Sequence, residues 1–106
     1  MKIIFILIIT FIFYTFSAKA QFLINYTDDG IMQLQTGNYE EAIKLFDKAI
    51  AQKPSDFKAW FSKGLALDQL TMYEESIKCY NKALEINPNF QKAIISRKIA
   101  IDRLKK

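Results

Sequence analysis

Apolar residues recur at three- and four-residue steps along two stretches of this chain. Over 39–52 they are Tyr39, Ala42, Ile43, Phe46, Ala49 and Ile50, and over 73–86 they are Tyr73, Ile77, Tyr80, Ala83 and Leu84. That period places each set on one stripe of an amphipathic helix. Asn38 stands three residues before Glu41, and Thr71 three before Glu74. This is the spacing of a capping box, and it predicts both helix starts. Glu40 with Lys44, and Glu74 with Lys78, are expected to pair one turn apart on the solvent side, for about 0.2–0.5 kcal/mol each. Lys53-Pro54-Ser55-Asp56 and Asn87-Pro88-Asn89 predict breaks, because proline lacks an amide and disfavours helix in the residue before it. Thr36-Gly37-Asn38 predicts the turn ahead of the first stretch. Leu70-Thr71 makes the corresponding turn without a glycine.

The first twenty residues follow another pattern. Met1-Lys2 is a short basic start, Ile3 to Phe16 carry no charge, and Ser17-Ala18-Lys19-Ala20 ends in Ala-x-Ala before Gln21. Basic, apolar and small-residue segments in that order predict a secretory signal peptide over 1–20, with Ala18 and Ala20 fitting the shallow pockets of a peptidase. The competing reading is a retained membrane anchor. A spanning helix needs roughly 20 apolar residues to cross about 30 Å, whereas the charge-free run covers about 21 Å. The length therefore favours cleavage and export, periplasmic or secreted. Gln21 in place of a cysteine argues against a lipoprotein.

Shifting the remaining chain by 34 residues lays 23–56 on 57–90 without a gap. Gly30 falls on Gly64, Gln35 on Gln69, Tyr39 on Tyr73, and Glu40-Glu41 on Glu74-Glu75. Ile43-Lys44 falls on Ile77-Lys78, Lys48-Ala49 on Lys82-Ala83, and Pro54 on Pro88. Tyr26 on Trp60, Phe46 on Tyr80 and Ala42 on Ser76 keep the size class. The unit is duplicated. Small residues at fixed places let two helices approach to about 8 Å: Gly30 and Gly64 on the first helix of each pair, then Ala42, Ala49, Ser76 and Ala83 on the second.

The unit resembles the tetratricopeptide repeat, a helix pair of this period. The second copy carries the family pattern at Trp60, Gly64, Ser76, Tyr80, Ala83 and Pro88, and departs from it at Lys63 and Leu67. The first carries it at Tyr26, Gly30, Ala42, Phe46, Ala49 and Pro54, and departs at Asp29 and Gln33. The resemblance implies an all-α fold, a short right-handed α-solenoid of two helix pairs. Residues 91–106 fit half of a third unit, but Lys98 stands where the glycine should be. That predicts a terminal capping helix, which solenoids need to close the last apolar face.

The resemblance also implies a function: binding of a protein or peptide segment on the concave surface made by the first helix of each pair. Carried onto this chain, the inward positions are Thr27, Ile31, Phe61, Leu65, Asp68, Gln69, Lys92, Ile95, Ile99 and Arg103. Phe61, Leu65, Ile95 and Ile99 favour an apolar or amphipathic partner; alternatively, Ile95 and Ile99 only complete packing against the neighbouring pair. The members that clamp acidic chaperone tails use Lys, Asn, Asn, Lys and Arg at the places held here by Thr27, Ile31, Ser62, Lys92 and Ser96. Only Lys92 matches, so that ligand is excluded.

Composition removes most chemistry. The chain has no histidine and one cysteine, which excludes imidazole acid–base work, histidine-activated nucleophiles, an intramolecular disulfide and most zinc sites. Neither an enzyme activity, a metal nor a cofactor is expected. The net charge of +4 is uneven, since 21–90 is acidic on balance and 91–106 holds Lys92, Arg97, Lys98, Arg103, Lys105 and Lys106 against Asp102. These bases are spread around their helix and read as a solvated cap, and no nucleic-acid partner is expected. Cys79 is expected to be a small semi-buried side chain. Two and a half repeats lie near the minimum for independent stability, so self-association or docking onto a larger assembly is expected. A membrane contact is expected only if 1–20 is retained.

Overall fold

Proline and a left-handed residue alternate as the devices that turn the chain. In a computed structural model they separate α2 (Tyr26–Gln35), α3 (Tyr39–Gln52), α4 (Phe57–Gln69), α5 (Tyr73–Ile86) and α6 (Gln91–Leu104), which follow α1 (Lys2–Leu23). The structure describes residues 2–106, without the side chains of 16–23. The expected cleavage motif, Ala18, Ala20 and Gln21, thus lies outside the described side chains, as Met1 lies outside the described residues. Among the described residues there is no strand.

Helices α2 to α6 pack in chain order, each against its neighbours, with lighter contact between α2 and α4 and between α4 and α6. Such stacking is that of a solenoid of helix pairs. The glycines show why the pairs close tightly. A Cβ on Gly30 would meet Phe46 Cε1 at 2.6 Å, and one on Gly64 would run into Tyr80 in the same way. The ring from the second helix lies directly on the backbone of the first, and both rings are fully buried. Ala42, Phe46 and Ala66 form a buried cluster with Ile31, Leu34 and Ile43 packed against it.

The turns differ from the capping boxes expected of them. Asn38 is the N-cap of α3, but its side chain makes no cap bond; its Nδ2 donates to Gln33 Oε1 and to Thr36 Oγ1. The cap of α5 is Met72, which has no capping side chain. Thr71 lies one residue earlier with φ 59°, at the place where the first repeat has Gly37 with φ 83°. The turn needs a left-handed residue, and the spacing to Glu74 coincided with that need. The solvent-side pairs are also redrawn, for Lys44 reaches Glu41 at 4.0 Å rather than Glu40, with both ends well exposed. Real side-chain caps stand at Asn25, which accepts from the Asp28 amide, and at Asp56, which accepts from the Ala59 amide.

Helix α1 makes no contact with α2–α6 among the described residues. Its apolar side chains from Ile3 to Tyr14 are exposed. Among the described residues no helix is long and apolar enough to cross a membrane.

Candidate interaction surface

Helices α2, α4 and α6 occupy equivalent places in successive units, so a side chain recurs every 34 residues on the same face. Ile31, Leu65 and Ile99 share one register position, and Thr27, Phe61 and Ile95 share another. Ile31 and Leu65 are half-buried, and Ile31 packs against the core cluster. Ile95 and Ile99 are 56% and 45% exposed. The apolar ladder therefore emerges from the core toward the C-terminal end.

Three of the expected inward residues have other partners. Thr27 is buried, and its hydroxyl donates to Asp56 Oδ2 at 2.7 Å. The carboxylate that caps α4 thus closes over it, which corrects its place on an open surface. Phe61 is half-buried in an aromatic cluster, its ring 4.9 Å from Phe90 edge to face and 5.8 Å from Tyr80. Phe57 completes the cluster at 5.2 Å from Phe90. Asp68 Oδ2 accepts the Tyr80 hydroxyl at 2.5 Å, while its Oδ1 is buried without a hydrogen-bond partner. Lys92, by contrast, is exposed, as are Gln69 and Arg103.

The cluster and the hydrogen bond exchange chemistry between the repeats. Thr27 and Asp56 of the first unit correspond to Phe61 and Phe90 of the second, so one interface position is polar once and aromatic once. Leu34 and Phe46 correspond to Asp68 and Tyr80, and there the order is reversed. Sequence reading missed Phe57 and Phe90. The only signal was that the residues aligned with Phe61 and Phe90 both change from polar to aromatic together.

A second recurring contact ties the units. Lys63 Nζ lies 2.6 Å from Asp47 Oδ1, and Arg97 Nη1 donates to Asn81 Oδ1 at 2.9 Å. Lys63, a departure from the family's leucine, is thus answered by the preceding helix. Trp60 anchors its turn by donating Nε1 to the Pro54 carbonyl at 2.9 Å. Tyr26 holds the corresponding place in the first unit, with Lys48 Nζ 5.6 Å from its ring centroid.

Burial pushes the Cys79 thiol up to about 11, against a smaller downward pull from Lys63. Burial, then the bond to Asp68, raises the Tyr80 phenol well above its usual range, with Ser96 of α6 working the other way. Cys79 is buried, deeper than the semi-buried place expected of it. It borders a groove of about 450 Å³ between α4 and α5, whose walls include Trp60, Lys63, Leu67 and Lys82; no residue of the apolar ladder lines it. Among the described residues no group of carboxylates or thiols could hold a metal.

Residues 32–70 match a family described as TPR repeat, and residues 57–90 match one described as Tetratricopeptide repeat. A search of curated proteins gives no match. Repeats of this kind mediate protein–protein interaction and are typically non-enzymatic. With matches that together span 32–90, and helix pairs stacked in chain order with an aromatic ring lying on a glycine in each, the chain belongs to the tetratricopeptide repeat family.

Proposed function

We propose that this chain is an exported, non-enzymatic adaptor that holds an apolar or amphipathic segment of a partner protein along the ladder Ile31, Leu65 and Ile99, with Phe61 and Ile95 beside it. The observation that carries it is the exposure of Ile95 and Ile99 at 56% and 45% on a helix whose other side is packed. A partner covering that strip gains apolar burial on a surface already formed, with little ordering cost. Export is supported by the order of basic, apolar and small-residue segments in 1–20. The apolar helix α1, exposed from Ile3 to Tyr14 and without contact to α2–α6 among the described residues, supports both a cleaved signal and a retained tether. The mass of the native N-terminus distinguishes them: a start at Gln21 fits export, and an intact Met1 fits the tether.

A photoreactive side chain at Leu65 tests the adaptor role. One partner species should be captured, and Ile99→Asp should abolish the capture while leaving the melting temperature unchanged. Undiminished capture by that variant would remove the ladder as the binding surface.

A further inference from the structure

The stack has two open ends, and their charges are opposite. At one end α2 buries Thr27 and Gly30. At about 100° per residue, Met32 falls on the far side of this helix with Asp28 and Asp29 flanking it. Met32 is 63% exposed, and Asp28, Asp29 and Ile24 are exposed with it. No base lies between residues 24 and 35. At the other end α6 buries Ala93 and Ala100. Its far side carries Ile95 and Ile99, with Lys92 and Arg103 along one border and Lys98 and Lys105 along the other, all exposed.

The recurring strut adds an independent observation. Lys63 and Arg97 each reach back to the preceding helix, to Asp47 and Asn81. One repeat earlier the same position is Asp29, an acid where the other two are bases. Among the described residues α1 does not pack there to answer it.

We propose that copies of this chain associate head to tail, the Ile95–Ile99 strip and its surrounding bases seating on Met32, Asp28 and Asp29 of the next copy. This rests on the strip being an interaction surface, and it names a second copy as what covers it. Two different patches meet, so the contact is heterologous and each added copy leaves one head and one tail free. The apolar area at the head is small, and charge sets the partner and the orientation.

The test uses chains beginning at Gln21, which keep every contact among α2–α6, since among the described residues α1 packs on none of them. In sedimentation equilibrium at low salt the mass should rise with concentration. It should fall back toward the monomer near 1 M salt, where the screening length is about 3 Å. D28N/D29N blocks the head without creating a basic patch, K98E/K105E blocks the tail, and each should weaken association by about tenfold or more. Mixed in equal amounts, the two should form dimers and nothing larger, since one intact tail meets one intact head. Helicity by circular dichroism checks that each variant folds, and Met32→Asp provides a second blocked head. A wild-type chain that stays monomeric, an association indifferent to salt, or a mixture that forms no dimer would overturn the proposal. Capture at Leu65 of a different protein, with the wild type monomeric, would remove the second copy and leave the adaptor role standing.

Discussion

Thr71 is a β-branched residue held at φ 59°, where Cβ crowds the following carbonyl at a cost of about 1–2 kcal/mol. Glycine escapes that crowding but loses more freedom on folding, which returns about 0.5–1 kcal/mol. Thr71→Gly is therefore expected to stabilise the fold by about 0.5–1 kcal/mol, read as a rise of a few degrees in a thermal melt. Cys79 gives a pH-dependent outcome. Its thiol is raised from 9.0 to about 11 in the folded chain, so the folded state resists ionisation that the unfolded chain accepts. Its contribution is intact below pH 9 and is lost as the pH rises toward 11. The melting temperature should fall across that window, and Cys79→Ala should flatten that part of the fall.

At the scale of helix pairs, Tyr80 and Asp68 form a unit. Tyr80→Phe would strip the carboxylate of its donor and leave Asp68 half-buried, at a cost of about 1–3 kcal/mol. Adding Asp68→Leu recreates the Leu34–Phe46 arrangement of the first repeat, which is apolar on both sides. The double variant should recover most of the loss in urea denaturation; if it does not, the two side chains are not acting as a pair.

How much of this was legible varies with the interaction. The helices 39–52 and 73–86 were readable because burial repeats every three to four residues, and the duplication made the glycine and ring positions readable too. The aromatic cluster was not, because Phe90 follows Asn87-Pro88-Asn89 in a turn, where no helical period points to it. Thr27 was placed on the open surface by its register, yet register is silent about an aspartate from the next turn folding over it. The caps failed for a related reason: sequence spacing shows which amide a side chain could reach, but not which backbone conformation the turn imposes.

At the scale of the whole molecule, the radius of gyration of 18.5 Å exceeds the roughly 13 Å expected of a compact chain of this length. The detached α1 accounts for much of that excess. Removing 1–20 should leave the thermal transition of the rest within a degree or two, since α1 makes no contact with α2–α6 among the described residues. A large drop in melting temperature on removal would mean that α1 covers part of the stack after all.

Because α2 to α6 touch mainly their neighbours in the chain, no strong contact joins the first helix to the last. A load applied to the two ends would therefore be borne by one junction at a time. The outermost helix would peel first, and each later release would lengthen the chain by a single helix. A protein of this build would yield as a spring with several small steps, where a sheet of distant strands would hold and then break at once.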